Sequence, residues 1–387
     1  GVMNNAQPPH VVSVARMKSM NHPTRRDFLV AAAATAAAGL VPSFAQGQER
    51  RFAPEPGAWR SFEFTTRIEL IKPAGAARAW LPIPSIDSEY QRSLDNDWTG
   101  NAAVTRVVAD SRYGAKMLYA EFPAGTAAPV LQLTSRVQTR SRATDWSRKV
   151  AVQEDPATLK AWTAATDLMP TDGIVRQTAM EATKGAKTDL DKVQRLYDWV
   201  VANTHREPKV RGCGVGDIKA MLETGNMGGK CGDINALFVG LCRSVGVPAR
   251  DVYGIRLVPS AFGYRELGGN PAKLQGAQHC RAEVFLASHG WVAMDPADVG
   301  KVMRLETAEW IKDVNHPVVA PVKKALFGGW EGNWMAFNTA HDVALPGSTV
   351  GDKLGFLMYP QAESAQGRYD ALDPDNFKYT ITAREIA

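Results

Sequence analysis

The stretch GGKCGDIN, residues 228–235 of the 387-residue chain, marks the start of a buried helix. From Ile234 onward, apolar residues recur at steps of three and four, which is the spacing of a helix that buries one side. Gly246 and Pro248 follow the last apolar position, and these residue types end helices. The pattern therefore predicts a helix that begins at Cys231.

The start of a helix is a reactive place for a thiol. Unpaired backbone N–H groups and the helix dipole favour negative charge there, so the Cys231 thiol loses its proton more readily than an ordinary thiol. The thiolate is the nucleophilic form, and the same N–H groups can hold the oxyanion that forms when a carbonyl is attacked. Cys231 is therefore the candidate nucleophile.

Three strands are predicted after this helix, at residues 250–258, 278–286 and 291–296. The last two are joined by a short turn, so they should pair as an antiparallel hairpin. A hairpin of this length can bring Asp295 beside His279. We therefore expect His279 to act as a base and Asp295 to orient it.

These motifs resemble those of the transglutaminase-like superfamily. A glycine-flanked Cys231 opens a helix that ends before GVPAR (246–250), and HCRAEV (279–284) and GWVAMDP (290–296) follow. The match covers roughly residues 190 to 300. The resemblance implies a fold that is a circularly permuted relative of papain and a Cys-His-Asp triad, which maps onto the three residues already selected.

The motifs lead us to expect cysteine-dependent acyl transfer or hydrolysis at a peptide or amide carbonyl in the cell envelope. The resemblance favours hydrolysis, because bacterial secreted members of the superfamily are more often peptidases, amidases or proteins of unknown activity than crosslinking enzymes. The expected partner is a peptide or protein substrate, with a cell-envelope peptide as one candidate. A protein-crosslinking transglutaminase, or a catalytically silent envelope-binding module on the same fold, are the alternatives. No cofactor is expected.

Two features depart from the family pattern. Arg281 stands two positions after His279, where many members have an aromatic residue, and residues 259–276 look like an insertion. We expect both to lie at the rim of the substrate pocket.

The other cysteines have weaker signals. Cys242 lies on the buried helix stripe, and Cys280 should face away from His279, so both are expected to be small buried residues. The residue pattern does not assign a role to Cys213. A zinc site that uses Cys213, Cys231 and His279 is disfavoured, because no closely spaced ligand pair occurs, and we expect no metal.

The amino terminus has the pattern of an export signal. TRRDFL (24–29) is a twin-arginine sequence, an apolar run follows to Val41, and SFA (43–45) suits cleavage after Ala45. The predicted destination is the periplasm or the exterior. Removal of residues 1–45 takes away four positive charges and one negative charge, so the net charge falls from +5 to +2. This balance gives no reason to expect nucleic acid as a partner.

The predicted fold class is α+β, with a papain-like core that follows a small β-rich domain. We expect no stable membrane span after cleavage. The predicted parts are the signal peptide and leader (1–45), a linker (46–57), the β-rich domain (58–140), the catalytic core (141–300) and a C-terminal extension packed on the core (301–387).

Overall fold

The helix predicted at Cys231 lies at the centre of the fold. In the computed structural model, which describes residues 50–387, this helix spans Cys231–Ser244, and all its residues except Asp233 are buried. The predicted signal peptide and the start of the predicted linker lie outside the described residues. The prediction of the helix and of its first residue is confirmed.

Seven α-helices occur in the described part of the chain. They are α1 (Pro156–Ala161), α2 (Gly173–Ala182), α3 (Asp189–Asn203), α4 (Ile218–Thr224), α5 (Cys231–Ser244), α6 (Pro296–Lys301) and α7 (Ala320–Ala325), with a 3₁₀ turn at Arg265–Leu267 and a π-helical turn at Val302–Glu306. Helix α5 packs on α2, α3 and α6.

The strands of residues 50–387 form antiparallel sheets, apart from one short parallel pair. They are β1 (Arg60–Leu70), β2 (Ala77–Pro82), β3 (Gln91–Gly100), β4 (Val104–Ala109), β5 (Lys116–Phe122), β6 (Val130–Thr139), β7 (Arg142–Ala143), β8 (His205–Arg206), β9 (Gly228–Gly229), β10 (Ala249–Arg256), β11 (Gln278–Leu286), β12 (Gly290–Met294), β13 (Gly329–Trp330), β14 (Trp334–Asn338), β15 (Gln361–Ser364), β16 (Gly367–Arg368) and β17 (Phe377–Ile386).

Helix α5 packs against a sheet in the order β12-β11-β10-β14. The hairpin of β11 and β12 is paired from Ala282 opposite Met294 to Leu286 opposite Gly290, as the sequence predicts. Every residue of β11 is buried, because α5 covers one face and later segments cover the other. The candidate base therefore lies on an internal strand.

The strands near the amino terminus belong to two further sheets, ordered β17-β1-β6-β3 and β16-β15-β2-β5-β4. The sequence does not predict β3 or β4, because most of their side chains are exposed or half-buried and their apolar residues do not alternate.

Strands from the last part of the chain complete these sheets. Strand β17 pairs with β1 from Leu70 to Ser61, β15 pairs with β2, and β14 joins β10 in the central sheet. The segment predicted as an extension packed on the core thus supplies hydrogen-bonded strands to three sheets. The domain boundaries at residues 140 and 300 stay a prediction.

Residues 50–387 contain no helix that combines the length and the apolar character needed to cross a membrane.

The start of α5 depends on Asp233. One carboxylate oxygen accepts the Lys230 N–H at 3.0 Å, and the other accepts the N–H groups of Val215 and Gly216 at 3.1 and 2.9 Å. Replacement of Asp233 by Ala leaves three N–H groups without this acceptor, so we expect the free energy of unfolding in urea to fall by about 2 kcal/mol. Asp191→Ala, in the first turn of α3, is the control, with an expected loss of about 0.5 kcal/mol. Equal losses would contradict this account.

Candidate active site

The Cys231 side chain opens α5 and is only 2% exposed. Lys230, the preceding residue, has extended backbone geometry, so the chain turns sharply into the helix at the cysteine. The Gly232 N–H at the helix start already donates to the Cys213 carbonyl at 2.8 Å. The Cys231 N–H is therefore the helix-start amide best placed for an oxyanion.

His279 and Asp295 lie together, as the hairpin predicts. The His279 Nε2 is 2.7 Å from Asp295 Oδ2, which leaves Nδ1 of the ring for Cys231. The other oxygen of Asp295 accepts the Asn235 amide at 3.1 Å and the Asp298 N–H at 3.2 Å. The carboxylate is thus held from α5, from α6 and from β11.

Asn235 is a contributor that the sequence reasoning missed. Its amide also donates to the Cys280 carbonyl at 2.9 Å, and its side-chain oxygen accepts the Ala297 N–H at 3.1 Å. Asn235 lies four residues after Cys231, which puts both on one face of the helix. That spacing is the signal that could have identified it.

Asp298 forms a second carboxylate contact with the imidazole. Its Oδ2 is 3.3 Å from His279 Nε2, and its two oxygens accept hydrogen bonds from Arg256 at 2.9 and 2.6 Å. Asp295 makes the shorter of the two carboxylate contacts with His279 Nε2, 2.7 Å against 3.3 Å for Asp298. Asp295 caps the start of α6, and Asp298 lies three residues later in its first turn, so both carboxylates reach one ring.

The expectation that Arg281 lies at the pocket rim is wrong. Its side chain is 2% exposed, and its guanidinium packs over Trp334 and Trp330, 5.0 and 5.4 Å from the ring centroids. Arg281 lies on the same face of β11 as His279, and the tryptophans cover that face. Its Nη1 donates to Asp295 Oδ2 at 2.9 Å.

The segment of residues 259–276 is partly core. Tyr264, Leu267 and Leu274 are buried, and the Tyr264 hydroxyl donates to the Val318 carbonyl at 2.6 Å. A role for this segment at a pocket rim stays a prediction.

Three of the four thiols meet at the start of α5. The Cys231 thiol lies within hydrogen-bonding reach of the Cys213 and Cys280 thiols and of the His279 imidazole. Cys280 is fully buried, as expected, and alternates with His279 along the strand, but its thiol approaches Cys231 because that face packs on α5. Cys242 is buried, and its burial raises the pKa of its thiol.

The charges in the site favour an ion pair. Hydrogen bonds from Cys213 and Cys280, and then the His279 side chain, hold the pKa of Cys231 well below its ordinary value despite its burial. Burial and the Arg256 charge lower the pKa of His279, but Asp298 and Asp295 outweigh them and raise it to about 9. Both shifts favour a thiolate on Cys231 and an imidazolium on His279.

The cluster of His279, Asp295 and Asp298 has ligand atoms within 4.8 Å of one another. Two buried guanidinium groups, those of Arg256 and Arg281, neutralise the two carboxylates. A cation in this cluster would have to displace them against their charge. The geometry is therefore that of an ion-pair network, and the expectation of no metal stays a prediction.

Comparison with known proteins agrees with the architecture. Residues 176–296 match the transglutaminase-like superfamily, and residues 22–42 match the twin-arginine translocation pathway signal sequence. An uncharacterized protein of Haemophilus influenzae is 34% identical over 350 residues, which are 84% of this chain and 91% of that protein. The chain belongs to the transglutaminase-like superfamily and carries a signal for twin-arginine export to the periplasm or the exterior.

Solved structures that align with this chain include a proposed cysteine protease from Cytophaga hutchinsonii, at 13% identity and a TM-score of 0.49, over 85% of this chain and 99% of that chain. The periplasmic domain of TgpA from Pseudomonas aeruginosa also aligns at 13% identity, with a TM-score of 0.33, over 74% of this chain and 100% of that chain.

The ion pair predicts an unusual pH dependence of thiol alkylation. An ordinary thiol with a pKa of about 8.5 is only about 0.3% ionised at pH 6, whereas Cys231 should remain reactive to iodoacetamide there. In His279→Ala the imidazolium is lost, and we expect the alkylation rate of Cys231 at pH 6 to fall about tenfold, equivalent to a rise of about one pKa unit.

Peptide mapping by mass spectrometry follows the alkylation rate from pH 4 to 10. His289→Ala is the control, because His289 lies at the turn end of the same hairpin. If the profiles of wild type and His279→Ala coincide, His279 does not stabilise the thiolate.

Asp298→Asn should lower the pKa of His279, because it removes a negative charge 3.3 Å from the ring. The raised pKa means that the charged imidazole stabilises the folded state fully below pH about 6.5, and this contribution is lost as the pH rises through about 9. NMR titration of the ring measures the change. Glu306→Gln, another buried carboxylate, is the control. An unchanged His279 pKa in Asp298→Asn would refute this coupling.

Proposed function

We propose that the protein is a cysteine-dependent enzyme that cleaves or transfers acyl groups at a peptide or amide carbonyl in the cell envelope. The observation that carries the proposal is the Cys231 thiol at a helix start, within reach of an imidazole whose Nε2 is 2.7 Å from Asp295. The proposed roles are nucleophile for Cys231, acid and base for His279, and orienting group for Asp295.

In the first step the Cys231 thiolate attacks the carbonyl carbon, and the carbonyl oxygen becomes an oxyanion. The Cys231 N–H is the proposed donor to this oxygen, because the first N–H groups of a helix have no acceptor within the helix. The protonated His279 then gives its proton to the leaving nitrogen. The C–N bond breaks, and the amine or ammonia departs from a thioester on Cys231.

In the second step neutral His279 takes a proton from the acceptor. If the acceptor is water, the thioester becomes a carboxylic acid, and the thiol is released. If the acceptor is a primary amine, a new amide forms instead. We favour hydrolysis, since superfamily resemblance associates exported bacterial members with peptidases and amidases. Crosslinking and a silent binding module are the other candidates.

The four buried charges around the imidazole support the proposed roles. Asp295 and Asp298 face Arg256 and Arg281, so the surroundings of His279 are neutral before the thiolate and imidazolium form. A pair of opposite charges added to a neutral network keeps it neutral. The thiolate and the imidazolium form and disappear together, so no large unbalanced charge is buried when the His279 ring gains or loses its proton.

The test uses the mature protein, from residue 46 onward, with a peptide library and a search for thioester adducts by mass spectrometry. We expect wild type to cleave a subset of peptides and to carry a trapped acyl group on Cys231. Cys231→Ala should lose at least about 10³-fold in turnover. Cys242→Ala is the control on the same helix, because that thiol is buried away from His279, and it should keep most of the activity.

Addition of a primary amine shows whether water or an amine accepts the acyl group from Cys231. Incorporation of the amine in place of hydrolysis favours crosslinking. Turnover that is equal in wild type and Cys231→Ala would refute the nucleophile. Absence of both turnover and adduct, together with equal binding of envelope peptides by wild type and Cys231→Ala, would support the binding module.

A further inference from the structure

Cys213 lies between the two segments that carry Cys231 and His279. Its carbonyl accepts the Gly232 N–H at 2.8 Å, its Sγ lies 3.3 Å from the Gln278 carbonyl oxygen, and its N–H donates to the Tyr359 hydroxyl at 2.8 Å. Gly232 follows the candidate nucleophile Cys231, and Gln278 precedes the candidate base His279. Cys213 therefore contacts a chain neighbour of each. The proposed acyl chemistry uses none of these contacts.

The backbone geometry suits a bond between the two sulfurs. The Cys213 carbonyl accepts the N–H of Gly232, the residue after Cys231, at 2.8 Å, so the backbone of Cys213 lies beside the start of the helix that carries Cys231. A disulfide needs Cα atoms about 4.4 to 6.8 Å apart. The Cys213 and Cys231 thiols already lie within hydrogen-bonding reach of each other.

Cys280 also approaches Cys231, but it is less able to move. It lies within β11, opposite Tyr253 of β10, and is fully buried. Cys213 is in a loop between Gly212 and Gly214, which have φ angles of 56° and 85°, and at 6% it is the most exposed of the four thiols. Cys213 is therefore outside the strand ladder that holds Cys280, and a reagent reaches it more easily.

We propose that Cys213 and Cys231 form a reversible disulfide, which blocks the candidate nucleophile under oxidising conditions. Its effect on activity rests on the proposed function, whereas the bond itself does not. The export signal supplies the context, because the periplasm is an oxidising compartment in which disulfides form and persist.

The oxidant is a small-molecule or protein disulfide. The Cys231 thiolate attacks one sulfur of that disulfide, and the other sulfur leaves as a thiolate, so that a mixed disulfide forms on Cys231. Cys213 then loses its proton and attacks the Cys231 sulfur, and the second thiolate leaves. The two protein thiols give up two electrons and two protons, and the oxidant becomes two thiols. A dithiol reductant reverses both steps.

This order of steps explains why Cys213 does not react with the oxidant while Cys231 is still reduced. The neighbouring Cys231 thiolate, through their hydrogen bond, and then burial raise the pKa of the Cys213 thiol. Once Cys231 is in a mixed disulfide, its negative charge is gone. The largest influence that keeps Cys213 protonated is removed at that moment, so the second exchange becomes easier.

The test is thiol mapping of the folded mature protein. The protein is incubated with glutathione disulfide at pH 7, quenched with N-ethylmaleimide and digested with trypsin. We expect residues 212–219 (GCGVGDIK) joined to residues 231–243 (CGDINALFVGLCR), with fragmentation placing the bond at Cys231 rather than Cys242. Iodoacetamide labelling of Cys231 should fall at least about tenfold on oxidation and recover with dithiothreitol.

Two variants give the comparison. Cys213→Ser should abolish the joined peptides, and Cys280→Ser, the neighbouring thiol on the strand, should retain them. Cys213→Ala serves in place of Cys213→Ser if thermal melting shows that the serine variant is unfolded. Mapping of the wild type does not depend on either variant.

A bond from residues 231–243 to residues 274–281, which contain Cys280, would overturn the proposal, as would stable glutathione on Cys231 with Cys213 still free. No loss of thiols would also overturn it. If the bond forms but Cys231→Ala keeps full peptide turnover, the proposed function fails and the disulfide stands. If turnover needs Cys231 but no bond forms, only the disulfide fails.

Discussion

The candidate site depends on the contacts that the Asp295 carboxylate makes. One oxygen faces the His279 imidazole and the Arg281 guanidinium, and the other accepts hydrogen bonds from Asn235 and the Asp298 N–H. These partners come from β11, α5 and α6. A single buried carboxylate therefore holds the helix that carries Cys231 in register with the strand that carries His279. Loss of any one of these partners would leave part of a buried charge uncompensated, which destabilises the fold.

Charge balance extends this constraint across the sheet. Arg256 on β10 binds Asp298, and Arg281 on β11 binds Asp295, so two positive and two negative side chains are buried around one imidazole. Arg281 occupies a position where an aromatic residue is common in the superfamily, yet aromatic rings are still close, because Trp330 and Trp334 pack on its guanidinium. The aromatic packing therefore comes from Trp330 and Trp334, in a distant part of the chain, and position 281 on β11 carries a positive charge instead.

The thiols of Cys213 and Cys280 surround the candidate nucleophile Cys231. They give it one environment in the reduced protein and another in the proposed oxidised form. In the reduced protein, Cys213 and Cys280 stabilise the Cys231 thiolate through hydrogen bonds. The closeness that makes Cys213 a donor also makes it a partner for a disulfide. The reactivity of Cys231 and its proposed sensitivity to oxidation thus have one physical origin, the placement of a glycine-flanked loop against a helix start.

The sequence by itself determined the helix that begins at Cys231, the hairpin of β11 and β12, and the closeness of His279 and Asp295, because these depend on local periodicity and a short turn. Only the tertiary structure decided the burial of Arg281, the second contact through Asp298, and the place of Cys213. Each depends on residues far apart along the chain, which no local pattern relates. The same holds for β17, which pairs with β1 more than 300 residues away. The alternation of apolar and polar residues in β17 does not identify β1 as its partner.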